Sequence, residues 1–190
     1  EHKRAKYLGR VYQDPMMGTA AGMQIEENLA LAARRGKRRT LRPMITKDER
    51  ESYRALLAEL GLGLESRLSA KVGTLSGGQR QALTLLMATL QSPKLLLLDE
   101  HTAALDPKTA ARVMELTEKI VNETHLTTLM ITHNMRDAIN YGNRLIMLHD
   151  GHVILDISGE EKAKLTVAEL LEMFSKASGN EFADDRAILA

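Results

Sequence analysis

The chain has 190 residues, and its 26 Lys and Arg against 25 Asp and Glu leave a formal net charge of +1. So even a balance argues against nucleic-acid binding driven by charge, and 3% aromatics with no Trp offers no stacking platform for single strands. Hydrophobic residues make up 44%, ordinary for a globular domain, while zero Cys excludes disulfides, thiolate metal sites and a Cys nucleophile.

Residues Lys6–Gln13 carry Tyr7, Leu8, Val11 and Tyr12 and predict a short strand, which Pro15 ends. Ile25–Arg35 reads as a helix. Arg34, Arg35, Lys37, Arg38, Arg39 and Arg42 crowd around Gly36 before Pro43, the chemistry of a solvated loop. Thr46 and Glu49 form a capping box, in which each side chain satisfies an unpaired backbone N–H. The helix they open carries Tyr53, Leu56, Leu57 and Leu60 as one apolar stripe and stops at Gly61 and Gly63. Ser76-Gly77-Gly78-Gln79 opens a second helix that is apolar nearly all round by Leu83–Leu90, which implies burial.

Leu95–Leu98, four apolar residues before Asp99-Glu100, has the profile of a strand buried on both faces of a parallel sheet. The run is far short of the about 20 residues a membrane-spanning helix needs. Asp106 caps the next helix with Pro107 at its first position, and Val113, Leu116 and Ile120 point inward. Thr127–Thr132 is a β-branched strand, so Leu95 to Thr132 forms a strand–helix–strand unit with a right-handed crossover. Asn134–Tyr141 is a short helix. Arg144–His149 and Val153–Ile157 flank Asp150-Gly151, a type I′ hairpin signal. A second capping box, Thr166 and Glu169, opens a last helix before a polar tail.

Two segments carry chemistry. Asp99 and Glu100 stand at the C-terminal edge of a buried strand, where open α/β sheets bind ligands. On a strand, adjacent acids face opposite ways, so one can hold Mg²⁺ while the other reaches water; a strand that happens to end in acids is the plainer alternative. Ser76-Gly77-Gly78 at a helix N-terminus offers exposed N–H groups and a favourable dipole to an anion. Alone it reads by default as an ordinary N-cap with a flexible entry.

Leu75-Ser76-Gly77-Gly78-Gln79, then Leu95–Glu100, Ala104-Leu105-Asp106 and Ile131-Thr132-His133 together resemble the nucleotide-binding domain of ATP-binding cassette (ABC) transporters. Val11-Tyr12-Gln13-Asp14-Pro15 is similar to that family's Q-loop. The resemblance implies a P-loop NTPase-like α/β fold: a partial parallel sheet, an inserted helical lobe, and a C-terminal β-hairpin and helix. It implies an end of the N-terminal core with the Q-loop over 1–13, the helical lobe with the LSGGQ signature over 14–93, a RecA-like core over 94–176 and a tail over 177–190. Asp99 and Gln13 would hold Mg²⁺, and Glu100 would polarise the attacking water. His133, which read alone is more simply a satisfied surface or core histidine, would sense the γ-phosphate. Ser76, Gly77, Gly78 and Gln79 would close on the ATP of an opposite subunit, and Asp106 of the D-loop would line that contact.

The implied parent is the ATPase subunit of an ABC importer of an amino-acid-like solute. It would use ATP and Mg²⁺ as a homodimer on the cytoplasmic side of the membrane. Its partners would be a permease and, indirectly, a solute-binding protein, with no nucleic acid. A cytosolic ABC ATPase without a permease and a non-catalytic interaction fragment are the other readings. Two departures stand out. The P-loop pattern G-x-x-x-x-G-K-S/T is missing: the one Gly-Lys pair, Gly36-Lys37, is followed by Arg38 and has Leu31 where the first Gly belongs. With no Met at its start, the chain is therefore expected to be the C-terminal part of a longer ATPase and to be inactive alone. Ala103-Ala104 also stands where many relatives carry Ser. His2, His101, His125, His149 and His152 show no ligand spacing, and no zinc site is expected.

Overall fold

The computed structural model describes residues 4–37 and 44–177, so Arg38, Arg39, Arg42 and the tail lie outside the described residues. The chain divides into two compact units between Ile131 and Thr132.

The first unit is built on a three-stranded parallel sheet. A 3-10 turn, Ala5–Tyr7, leads into β1 (Leu8–Val11), shorter than the sequence suggests. β2 (Leu95–Asp99) is central, between β1 and β3 (Thr128–Ile131). Leu98 lies opposite Val11 on one side and Met130 on the other. The link from β1 to β2 contains α1 (Ile25–Ala33), α2 (Lys47–Glu59) and α3 (Gly77–Thr89), and α4 (Pro107–Thr124) crosses from β2 to β3.

Local chemistry explains the helix starts. Glu49 N–H donates to Thr46 Oγ1 at 3.2 Å while Glu49 Oε2 accepts from Thr46 N–H at 2.9 Å. Arg50 of α2 forks onto Glu26 of α1 at 2.6 and 2.7 Å; Glu26 is 3% exposed, so the pair fixes the two helices against each other. α3 is buried along nearly its whole length, as its apolar surround requires. Val11, Leu96 and Leu98 share one apolar cluster with Leu29, Leu57, Leu83 and Leu86.

One expectation is corrected. β2 is not buried on both faces: Leu96 and Leu98 are buried, whereas Leu95, Leu97 and Asp99 are partly exposed. Leu129 and Ile131, opposite Leu97 and Asp99 and on their face of the sheet, are 52% and 54% exposed. The helices of the first unit cover one face of its sheet far better than the other.

The second unit opens with Asn134, whose Oδ1 accepts from the N–H groups of Arg136 and Asp137 at 2.9 and 3.3 Å and caps α5 (Met135–Asn140). β4 (Arg144–His149) and β5 (His152–Ser158) form an antiparallel hairpin with an irregularity between Met147 and Leu148. Asp150 and Gly151 both have positive φ, +47° and +76°, the type I′ geometry expected. Two helices follow where one was expected. α6 (Gly159–Lys164) is too short to show a period, and α7 (Val167–Ala177) starts at the Thr166–Glu169 capping box. Lys162 of α6 is buried and donates to the carbonyls of Ile139 and, at 3.0 Å, Tyr141, satisfying orphan groups at the end of α5.

Candidate active site

Asp99 is the last residue of β2, and Glu100 has already left the strand. Its φ is +44°, a left-handed conformation that a residue with a Cβ adopts at a cost. Two backbone bonds hold the turn: Glu100 N–H donates to Ile131 O at 3.0 Å, and Ala103 N–H donates to Glu100 O at 3.0 Å. Strand alternation therefore does not set the direction of Glu100; the turn does.

Asp99 is engaged. Its Oδ2 accepts from Arg10 Nη2 of β1 at 2.9 Å, and the Arg10 guanidinium lies 4.5 Å from the centre of the Tyr12 ring. Both charged side chains are partly open to solvent, so the pair is worth at most about 1 kcal/mol and can give way to a stronger partner. Gln13 is exposed in the turn just after β1, beside Asp14, whose Oδ1 accepts from Met16 N–H at 2.8 Å.

The glycine-containing helix start comes next. Ser76 Oγ accepts from Gln79 N–H at 3.3 Å, and Gln79 Oε1 accepts from Ser76 N–H at 3.2 Å. Gln79 Nε2 also donates to Leu62 O at 3.2 Å. The Ser76 and Gln79 side chains thus cap their own helix, and the first-turn amides of Gly77 and Gly78 have no carbonyl partner within α3. Gly78 must be glycine: a Cβ there would fall 2.0 Å from Thr109 Cγ2 of α4. That close approach seats α3 against the start of α4, where Asp106 accepts from Thr109 N–H at 3.1 Å. Bonds from Thr109 hold the Asp106 carboxyl below the usual carboxylate range.

Within the first unit Gln81 links the residues next to Gln13 and Glu100, while Gly77 and Gly78 lie against Leu105 and Thr109, on either side of Asp106. His133 belongs to the second unit, on the turn before α5, close enough to Asp137 to lower that carboxyl's pKa against the larger effect of burial, which raises it.

Three residues of this region escape a reading of the sequence. Arg10 pairs with Asp99. Gln81, wholly buried in α3, donates from Nε2 to Tyr12 O at 2.9 Å and to His101 O at 2.6 Å. His101 is 2% exposed, and its Nε2 lies 3.1 Å from Thr117 Oγ1. The Thr117 hydroxyl donates to Val113 O at 2.8 Å, so it accepts from His101, which places the imidazole proton on Nε2. Local spacing signals none of these contacts.

Among the described residues no cluster of three or more His, Asp or Glu could cage a metal. The donors present, one carboxylate of Asp99 and the Gln13 amide oxygen, are hard oxygens. They fit an ion such as Mg²⁺ that takes most of its ligands from water and substrate phosphates.

The sequence matches the ABC transporter family over residues 1–103. It is 52% identical over 177 residues to the tyrosine transport ATP-binding protein of Clostridioides difficile (strain R20291), covering 93% of this chain and 70% of that protein. It is 34% identical over 146 residues to the methionine import ATP-binding protein of Streptococcus pneumoniae (serotype 4), covering 74% of this chain and 39% of that protein. Among solved structures, an ATP-binding cassette dimer in a post-hydrolysis state with ADP and Pi superposes with a TM-score of 0.66 and 28% identity. That superposition covers 83% of this chain and 65% of the solved one, so the chain spans less than two thirds of both that cassette and the methionine relative.

Proposed function

Because the chain belongs to the ABC transporter family, among its ATP-binding (ATPase) subunits, we propose that the full-length protein hydrolyses ATP to drive import of an amino acid, and that the turn at Asp99-Glu100 is where the water attacks. The observation that carries this reading is the left-handed Glu100 directly after Asp99, at the C-terminal end of the central strand.

Bound Mg²⁺ supplies charge neutralisation for the phosphates, and Asp99 and Gln13 are the groups that would hold it. Asp99 would give up its weak pair with Arg10 to do so. Glu100 accepts the proton of the attacking water, a role worth about 10²–10⁴-fold in rate. The amides of Gly77 and Gly78, with the α3 dipole behind them, present positive partial charge to a γ-phosphate carried by a second copy. Asp106, held ionised by its cap, sits where that copy would approach. His133 is the group that would report the γ-phosphate to the second unit.

The named solutes of the relatives, tyrosine at 52% identity and methionine at 34%, support an amino-acid cargo. The same relatives support a membrane permease and a solute-binding protein as partners. Membership of the family supports a peripheral subunit at the cytoplasmic face of the membrane; no described helix is long and apolar enough to cross a membrane. The experiment is ATP turnover by the full-length protein with its permease and binding protein in lipid nanodiscs. Turnover that rises on adding tyrosine is the expected result. No turnover would overturn the reading, and stimulation by a different solute class would overturn the cargo.

A further inference from the structure

We propose that Gln81 is a positioning residue for Glu100, tying the turn after β2 to the turn after β1. The inference rests on the reading of Glu100 given above. Gln81 is wholly buried and is the fifth residue of α3 after the Ser76 cap. Its Nε2 meets two carbonyls, those of Tyr12 and His101, which are the residues immediately before Gln13 and immediately after Glu100. Carbonyls only accept, so the orientation of the amide is forced by its partners.

The amide is only half satisfied. Its Oε1 is buried and has no protein donor. Burying such an atom is unfavourable, so the side chain is held for its donor, which serves the carbonyls of Tyr12 and His101 at once. What the amide adds is a fixed distance between Tyr12 and His101, beyond the last register pair of β1 and β2, Val11 with Leu98. Glu100 needs that restraint. Its left-handed φ persists only if neighbours over-determine it, and the next residue, His101, is gripped on both sides: Gln81 holds its carbonyl and Thr117 its ring. The grip sets where the Glu100 carboxylate points relative to Gln13, across the space where a water would be activated. Because Gln81 rides on the same helix as Ser76 and Gly77, movement of that helix start would be transmitted to the Glu100 turn through one side chain.

The test uses the full-length protein with its transport partners. Gln81→Met keeps the volume and removes both donors; Gln81→Glu keeps the shape and recovers a donor only when protonated. Glu100→Gln is the control. The expected result for Gln81→Met is a kcat lower by ~10–100-fold, since small misplacements of a reacting group cost about that much. KM for ATP should stay within about twofold, because ground-state binding is untouched, and the ATP-bound dimer should still form. Gln81→Glu should lose turnover at neutral pH and regain part of it as pH falls, opposite to the parent. A Gln81→Met protein with unchanged kcat, or one that loses dimer formation and turnover together with no recovery of Gln81→Glu at low pH, overturns the proposal. If Glu100→Gln itself turns over normally, the reading of Glu100 fails and the proposal fails with it; Glu100→Gln inactive beside a fully active Gln81→Met overturns the proposal alone.

Discussion

Glu100→Gln in the full-length protein is expected to lower ATP hydrolysis about 10²–10⁴-fold while leaving nucleotide binding in place. The substitution keeps the length and planarity of the side chain and removes its ability to take a proton. The turn itself is held by main-chain bonds to Ile131 and Ala103 and by the grip on His101. Steady-state turnover and equilibrium binding of ATP, measured on the same preparation, separate the two effects. A change in turnover of less than about threefold would remove Glu100 from the role of base.

The second large effect is on stability. His101 is buried among apolar neighbours, and desolvation pushes its pKa down from 6.5 to about 4. In the unfolded chain the same imidazole titrates near its ordinary value. Between the two values the unfolded state binds a proton that the folded state refuses, so stability falls as pH drops from 6.5 towards about 4 and is unaffected by this group above and below that window. The shift corresponds to about 3 kcal/mol, a large share of the margin by which small domains stay folded. Urea unfolding of the parent and of His101→Gln at pH 7.5 and pH 4.5 is the check: the parent should lose most of that increment and the variant little of it. Equal losses in both would place the acid sensitivity elsewhere.

The α/β ABC ATPase fold is legible in the chain because its strongest features are local. The Thr46–Glu49 and Thr166–Glu169 boxes, the Asp106-Pro107 start and the Asp150-Gly151 turn each fix backbone geometry within four residues, and each is found where the spacing puts it. Leu95–Leu98 reads as a strand for the same reason, yet its burial does not follow from its own sequence; cover depends on what packs above the sheet, and Leu97 keeps a partly open face. The site divides similarly. Asp99, Glu100, Ser76 and Gly78 stand in contiguous motifs. The restraints upon them do not: Arg10 meets Asp99 across 89 positions and Gln81 meets Tyr12 across 69, and no periodicity reports a contact at that range. His101 offers only a lone imidazole in sequence; its burial and its bond to Thr117 arise from packing of α4. α6 escapes notice because six residues span less than two turns.

The central claim is that the reacting site is built from two copies, with Asp99-Glu100 of one facing Ser76-Gly77-Gly78 of the other. Mixing two disabled full-length proteins tests it most directly: Glu100→Gln, which lacks the base, and Gly77→Asp, whose carboxylate repels a γ-phosphate at the α3 start. In a mixed dimer one composite site regains both intact halves, and a 1:1 mixture is expected to recover about a quarter of the parent turnover. Turnover no greater than the mean of the two separate variants would contradict a site shared between copies.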